Sequence, residues 1–522
     1  MPDSELHDLT LAEAASLIRR GRLSPVEYTQ ALLARTDALE PQLNAYITRT
    51  TEAAIEAARA AEAEIVRGNH RGPLHGVPFA VKDIYNTAGV LTSGHSRICI
   101  DRVPLKDATA VAKLRAEGAV LMGKLATHEF AHGGPSFDLP WPPARNPWNT
   151  AHFTGGSIRG PAGLCGIAGL KPTYGLVSRM GVLPNSYSYD TCGPMARTSE
   201  DCALLLNTVA GYDPIDPASA QTRLPDYAFG IDLGIKGLRI GVVRHFWEKD
   251  LSVHAELPPA LEAAIRVFRE LGAIVEDVKL RPLAAYSDVK IVTAESELFS
   301  LHLPDLIERP EQFGQDFRAR SLAACLFTGE DYVRSSRERR AMLDQMRVLY
   351  HHFDLFLTAN TSAAPRLDRH DPLSFWTRPN LTSPFNCTGG PALAVLCGFT
   401  RDGLPLSMQV AGRPFDDAKV LRAGHSFERA TGFYKRRPQL TAGALPGAIE
   451  PKPWRPDTSA VEPAVRSLAE NAARHAGLKL PEAIMEELVA VAPHALALAR
   501  RLPRDHFRNE EVASIFDPGR DI

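Results

Sequence analysis

Short apolar segments alternate with helix-forming sequence through most of this chain. Several are rich in β-branched residues, too short for stable helices, and flanked by glycine, proline or charged residues, so they predict buried strands. They span residues 77–81, 119–122, 238–243, 273–278, 355–358, 392–397 and 406–411. Alternation of this kind predicts an α/β fold, with a mixed β-sheet core covered by helices on both faces.

The N-terminal hundred residues carry helix signals. Ser24 is a favourable N-cap and Pro25 suits the first helical position, which predicts a helix running through Leu39. Residues 50–67 are so rich in Ala and Glu that they predict a solvent-facing helix.

The length of 522 residues exceeds what one hydrophobic core usually serves, so appended parts are expected. Residues 437–456 contain five prolines and few large apolar residues, which predicts a linker. Beyond it, residues 457–522 carry apolar positions at helical spacing and predict a small α-helical extension that docks on the main body or on a partner. We therefore divide the chain into a main domain, 1–436, this linker and this tail.

Composition excludes several classes of protein. Lys and Arg number 59 against 61 Asp and Glu, so the chain does not resemble a nucleic-acid binder driven by phosphate neutralisation. Seven cysteines without any Cys-x-x-Cys pair indicate neither a disulfide scaffold nor a structural zinc site. The start, Met1–Glu5, is acidic, unlike a secretory signal, and no apolar run is long enough to span a membrane. A soluble cytoplasmic protein is expected.

Two motifs are weak matches to ligand sites. Gly118–Leu125 approaches a phosphate-binding P-loop, but Leu125 replaces the hydroxyl residue that would hold magnesium and the middle residues are strand formers. His351 and His352 with Asp354 could suggest a metal site, but adjacent histidines point to different faces. We interpret the first as a strand and the second as a helix end or solvated surface.

A glycine-rich segment is the stronger candidate for chemistry. Thr154-Gly155-Gly156-Ser157 can direct backbone N–H groups at one point and so bind an oxyanion. Lys82 follows an apolar strand, where desolvation would lower its pKa and make a neutral amine base feasible. A serine hydroxyl needs such a base, although pairing of Lys82 with Asp83 is the structural alternative.

The motifs and their order resemble the amidase signature family. The similarity runs from about Leu9 to Gly432 and rests on these blocks: Gly72-Pro73-Leu74-His75-Gly76-Val77-Pro78-Phe79-Ala80-Val81-Lys82-Asp83, Asp107-Ala108, Gly118–Lys124, Glu129-Phe130, Asn146-Pro147-Trp148-Asn149, Gly155-Gly156-Ser157-Ile158-Arg159, Gly169–Gly175, Asp190, Gly193-Pro194, Asn386, Gly389, Pro391, Gly403-Leu404-Pro405 and Gln409.

The resemblance implies amide hydrolysis without metal or cofactor. In that family a lysine, a second serine held in a cis peptide and a serine nucleophile form the catalytic device. Matched by position, Lys82 is the base and Ser157 the nucleophile. The backbone amides of Thr154, Gly155, Gly156 and Ser157 would form the oxyanion hole.

The chain departs from the family pattern in one respect. Family members carry two Gly-Gly-Ser segments, whereas this chain has one, with Phe153 in place of the usual acidic residue. We interpret this as an internal deletion between two near-identical Thr-Gly-Gly-Ser copies. Direct Lys82–Ser157 contact, within about 3.2 Å, would then be needed. Ser96, Ser178 and Ser188 are the alternative hydroxyls.

The expected function is therefore hydrolysis of a small amide or urea-like C–N bond. One rival is a catalytically inactive protein of the same fold that binds a partner or ligand. Another is the glutaminase subunit of a tRNA amidotransferase. The tail resembles the small helical accessory proteins of some family members, and a homo-oligomer formed through the C-terminal helices is a further expectation. The expected partner is a small-molecule amide substrate, not nucleic acid or membrane.

Overall fold

The computed structural model describes residues 6–155, 157–505 and 511–512. The short alternating segments form the strands, numbered here in chain order. They are β1 Tyr46–Arg49, β2 Pro78–Lys82, β3 Val120–Leu125, β4 Arg145–Asn146, β5 Asn149–Phe153, β6 Ala168–Lys171, β7 Met195–Ala196, β8 Arg239–Val242, β9 Ile274–Asp277, β10 Leu355–Thr361, β11 Ala392–Phe399 and β12 Pro405–Gly412.

The central sheet contains seven of these strands in the order β7-β6-β11-β12-β10-β8-β9. Its first four pairings are antiparallel, whereas β10 with β8 and β8 with β9 are parallel. The predicted mixed α/β sheet is therefore confirmed. A smaller sheet, β1-β3-β2, and the hairpin β4-β5 carry the segments that lead to the candidate site.

Helices cover the sheets and form the C-terminal extension. They are α1 Leu11–Arg19, α2 Pro25–Leu43, α3 Thr51–Val66, α4 Thr109–Ala116, α5 Arg159–Cys165, α6 Ser199–Val209, α7 Leu257–Glu270, α8 Leu283–Glu308, α9 Gln315–Ser321, α10 Gly329–Leu349, α11 Ser374–Thr377, α12 Ser383–Cys387, α13 Asp417–Thr431, α14 Pro463–His475 and α15 Glu482–Arg501. Ser24 caps α2 as predicted, accepting hydrogen bonds from two backbone N–H groups. In the described ranges, no helix has the length and apolar character required to cross a bilayer.

The core lies around β11 and β12. Every residue of β12 is buried, because α5, α7 and α13 pack against this pair of strands. Apolar side chains therefore fill both sides of the strands, and the short apolar runs in the sequence had no need to alternate with polar residues.

Strand β2 differs from its prediction. The run 77–81 was expected to be a buried strand, but β2 spans Pro78–Lys82 and all five residues are only partly buried. The reason is topological, since β2 is an edge strand paired only with β3. Strand β3 also continues past Met122 to Leu125, because Gly123 and Lys124 pair with β1.

The proline-rich segment 437–456, which we call the strap, lies along the main domain. It is held by hydrogen bonds to α2 and to the β4-β5 hairpin. These join Gln42 Nε2 to the Thr441 carbonyl (2.8 Å), Gly443 N to the Ala38 carbonyl (3.1 Å), Gly447 N to Thr150 Oγ1 (2.7 Å) and Arg145 Nη1 to the Gly447 carbonyl (2.8 Å). The strap therefore connects the tail to the body along a fixed path.

The tail helix α15 packs on α8, α9 and the turn that follows α9. Its apolar side chains Leu488, Val491 and Leu498 are fully buried against this surface. Glu487 forms a buried ion pair with Arg318 on α9, with oxygen–nitrogen distances of 2.8 Å. Arg501 contacts Asp288 on α8 through two bonds of 2.7 Å. The division into main domain, linker and tail stays a prediction, but the tail docks on its own chain.

The buried Glu487–Arg318 pair predicts a stability effect. Glu487→Leu should lower the free energy of unfolding by about 3–5 kcal/mol, because Arg318 is left as an uncompensated buried charge. The double variant Glu487→Leu with Arg318→Met should recover most of that loss. Denaturant unfolding measures both effects. Glu486→Gln, which alters a more exposed pair with Arg466, is the matched control and should change stability little. A single variant as stable as wild type would contradict this assignment.

Candidate active site

Lys82 is the last residue of β2 and pairs in register with Leu125 of β3. Its side chain is partly buried. Burial lowers the pKa of Lys82 to about 8, with the nearby Asp190 carboxyl acting in the opposite direction. A substantial fraction of this amine is therefore neutral near physiological pH, as a general base requires.

The carboxylate next to Lys82 in sequence is neutralised by a different lysine. Asp83 Oδ1 lies 3.2 Å from Lys124 Nζ, and both side chains are fully buried. Asp83 Oδ2 accepts from the Ser93 backbone N–H (2.9 Å) and hydroxyl (2.5 Å). Lys124 also donates to Thr92 Oγ1 at 2.6 Å. Lys124, the lysine of the P-loop-like segment, is thus committed to the interior at the end of a strand.

The glycine-rich segment begins where β5 ends. Asn146 fixes this end by donating its side-chain amide to the Phe153 carbonyl (3.0 Å) and to the Leu164 carbonyl of α5 (2.9 Å). Gly155 has a φ of 80°, and a Cβ there would lie 3.0 Å from the Pro161 nitrogen, so only glycine suits the position. The loop therefore turns tightly from β5 into α5.

The predicted oxyanion-hole residues lie along this turn. Thr154 and Gly155 line a cavity, whereas Gly156 lies outside the described residues. Ser157 is exposed, one residue before the Ile158 N-cap of α5. The structure thus places the predicted nucleophile at a helix N-terminus, where backbone N–H groups and the helix dipole favour negative charge. Direct contact between Lys82 and Ser157 stays a prediction.

Arg159 anchors the start of α5 through residues far away in sequence. Its guanidinium is buried and donates to Gln409 Oε1 (2.6 Å), Asn386 Oδ1 (2.5 Å) and the Thr382 carbonyl (2.9 Å). The resemblance identified Arg159, Asn386 and Gln409 as family positions but gave none of them a role. Their convergence shows that they hold the helix that follows Ser157.

The cavity beside Thr154 and Gly155 contains two acidic or basic groups that sequence reasoning did not assign. His128 stacks on Phe153, with ring centroids 5.1 Å apart, and burial holds the pKa of His128 well below its usual value. Burial raises the pKa of Glu129 to about 8, against hydrogen bonds from Ser96 and the Gly314 backbone. The only sequence signal was the Glu129-Phe130 block of the resemblance.

The three alternative hydroxyls are each bonded to a carboxylate. Ser96 donates to Glu129 (2.5 Å), Ser178 to Asp213 (2.7 Å) and Ser188 to Glu297 (2.5 Å). A hydroxyl proton bound by a carboxylate is not available to an amine base. Ser157 therefore remains the better candidate for the nucleophile.

The paired histidines and the cysteines lie apart from this site. His351 and His352 are exposed in the turn after α10, which confirms the interpretation as a helix end. All seven cysteines are free thiols.

The buried Asp83–Lys124 pair gives a prediction about the integrity of the site. Lys124→Met should destabilise the fold by about 3–5 kcal/mol, because the Asp83 carboxylate would remain buried without its cation. Thermal and denaturant unfolding measure the loss. Glu276→Gln breaks an exposed pair with Arg239 and serves as the control. Equal losses in the two variants would show that the buried pair is not a stabilising contact.

Comparison with known proteins agrees with this geometry. The Amidase family model matches residues 27–157 and 153–421, two segments that share residues 153–157. One of the subunits of the glutamyl-tRNA(Gln) amidotransferase of Moorella thermoacetica is 37% identical over 486 residues, covering 84% of this chain and 99% of the relative.

Solved structures show the same similarity. A chain from a vestigial protein complex that reveals the evolutionary origins of an s-triazine catabolic enzyme has a TM-score of 0.76 at 30% identity, covering 83% of this chain and 100% of that one. The peptide amidase of Stenotrophomonas maltophilia has a TM-score of 0.73 at 27% identity, covering 84% and 99%. With the predicted fold and site motifs, these matches show that the chain belongs to the amidase family of amide-hydrolysing enzymes.

Proposed function

We propose that this chain hydrolyses a small amide or urea-like C–N bond, with Ser157 as nucleophile and Lys82 as base. The observation that carries the proposal is the separation of the two lysines. Lys124 neutralises Asp83, while burial lowers the pKa of Lys82 to about 8. The structural alternative, a lysine held charged by its neighbouring aspartate, therefore applies to Lys124.

The proposed reaction begins with proton transfer from the Ser157 hydroxyl to neutral Lys82. The serine oxygen attacks the substrate carbonyl, and the negative charge that develops there is stabilised by the backbone amides of the 154–157 loop. Lys82 returns the proton to the leaving nitrogen as the C–N bond breaks. Water then attacks the acyl-enzyme by the same route and releases the acid.

A shortened site loop is part of this proposal. The two segments matched by the family model overlap at residues 153–157, which supports the interpretation that one Thr-Gly-Gly-Ser now stands for two. In that case no second serine relays the proton, and Lys82 must reach Ser157 directly. A Ser-Lys pair of this kind has precedents on other folds.

Two rival functions carry specific support. The 37% identity to a subunit of a tRNA amidotransferase, over 99% of its length, favours glutamine hydrolysis within a larger assembly. Hydrolysis of free glutamine that increases in such an assembly would support that function. The exposed position of Ser157 favours an inactive partner or ligand-binding protein.

The tail also bears on partners and location. We retain a homo-oligomer formed through the C-terminal helices as part of the proposal, although α15 buries its apolar side chains in its own chain. On α14, Leu468 is nearly half exposed and is available for such a contact. A cytoplasmic location, a small-molecule amide substrate and no need of a cofactor complete the proposal.

Labelling with a fluorophosphonate probe tests the nucleophile and the base together. The wild type should be labelled, Ser157→Ala should not, and Lys82→Ala should be labelled at least a hundredfold more slowly, since general-base catalysis contributes about 10²–10⁴-fold. Ser178→Ala is the matched control, because its hydroxyl is bonded to Asp213. Labelling that persists in Ser157→Ala would transfer the role to another residue. An unlabelled but folded wild type would favour the inactive protein.

The lowered pKa of Lys82 gives a pH prediction. Because the base must be neutral, the labelling rate should rise tenfold per pH unit below about pH 8 and level off above it. The measurement is the initial labelling rate between pH 6 and pH 10. A rate that rises only above pH 10 would indicate a lysine with an ordinary pKa.

A further inference from the structure

Helix α8 presents one face to the loop that precedes Asp190. Lys290, Thr293 and Glu297 follow one another at spacings of three and four, so they lie on the same side of the helix. Glu297 accepts hydrogen bonds from the hydroxyls of Ser186 and Ser188, both at 2.5 Å or slightly less. This fixes the loop that ends at Asp190, the carboxyl closest in effect to Lys82.

The same helix contacts the segment that anchors Arg159. The Asn380 backbone N–H donates to Ser287 Oγ at 2.9 Å, and the Cys387 thiol donates to the Tyr286 carbonyl at 3.4 Å. Between these contacts, Asn386 accepts from Arg159, two residues after Ser157. Lys290 therefore lies on the part of α8 bordered by two segments, one leading to Lys82 and one to Ser157.

Lys290 is partly buried, yet its ammonium forms neither a hydrogen bond nor an ion pair with any residue that the structure describes. Burial lowers the pKa of Lys290, and Glu295 and Asp190 act in the opposite direction. A buried cation without a bonded anion is unfavourable, so natural sites retain one where a ligand completes it.

The acidic groups near Lys290 already have other partners. Glu295 lies 3.1 Å from His132 Nε2. Asp190 accepts from the Asn185 backbone N–H at 2.7 Å, and burial raises the pKa of Asp190, which reduces its negative charge. Neither carboxyl is bonded to the Lys290 ammonium, which leaves room for an anion supplied from outside.

We propose that Lys290 binds the carboxylate of an amide substrate that carries one, so that the preferred substrates are monoamides of dicarboxylic acids. The amide end would then lie at Ser157 and the carboxylate end at α8. This inference rests on the proposed function for the site and its orientation. A charge-assisted contact to an ammonium would make Lys290 a specificity residue without a part in bond cleavage.

The first experiment compares anionic and neutral amides of matched length in ammonia-release assays of the full chain. Succinamate and glutaramate should have kcat/KM at least tenfold above butyramide and pentanamide in the wild type. Lys290→Met should reduce that ratio at least tenfold, chiefly through KM. Lys249→Met, which alters an exposed lysine, is the matched control and should leave the ratio unchanged. Equal kcat/KM for anionic and neutral amides in the wild type would overturn the inference.

A binding experiment separates this inference from the proposed chemistry. Succinamate and glutaramate should bind to Ser157→Ala in calorimetry, and binding should weaken at least tenfold when Lys290→Met is added. This readout needs no turnover, so it holds even if Ser157 is not the nucleophile. Absence of binding by both compounds, or binding unaffected by Lys290→Met, would overturn the Lys290 assignment. Lys290→Gln provides a second variant if the methionine variant does not fold.

Discussion

The buried pair between Asp83 and Lys124 determines what Lys82 can do. Two adjacent residues at the end of β2, a lysine and an aspartate, would ordinarily neutralise each other or be solvated. Here a lysine from the neighbouring strand lies 3.2 Å from the aspartate in a fully buried position. Because the aspartate also accepts two hydrogen bonds from Ser93, its charge is satisfied without Lys82. The fold thereby keeps one lysine charged inside and lets burial lower the pKa of the other.

The sheet was predictable where local sequence determines structure. The segments at β10, β11 and β12 are apolar along most of their length, and both faces of these strands are covered. The prediction was wrong for β2, where an apolar run lies at a sheet edge and stays partly exposed. Whether a strand is central or at an edge depends on pairing with distant segments, which a local pattern does not contain.

The candidate site shows the same division. Lys82 and Ser157 could be named from their motifs, and the lowered pKa of Lys82 follows from its place at the end of an apolar strand. The contacts of Arg159 to Asn386 and Gln409 link residues more than two hundred positions apart, so no spacing rule would find them. The stacking of His128 on Phe153 is equally non-local. The combination of local motif and long-range packing defines this site.

The strap has a consequence for how the tail associates with the body. Its hydrogen bonds to Ala38, Gln42 and Thr150 hold it along the surface, and α15 then packs on α8 and α9. An independent accessory protein would dissociate on dilution, whereas a covalently attached one encounters its docking surface at a high effective concentration. The stoichiometry of body and tail is therefore fixed at synthesis, and their association does not depend on how much of either the cell produces.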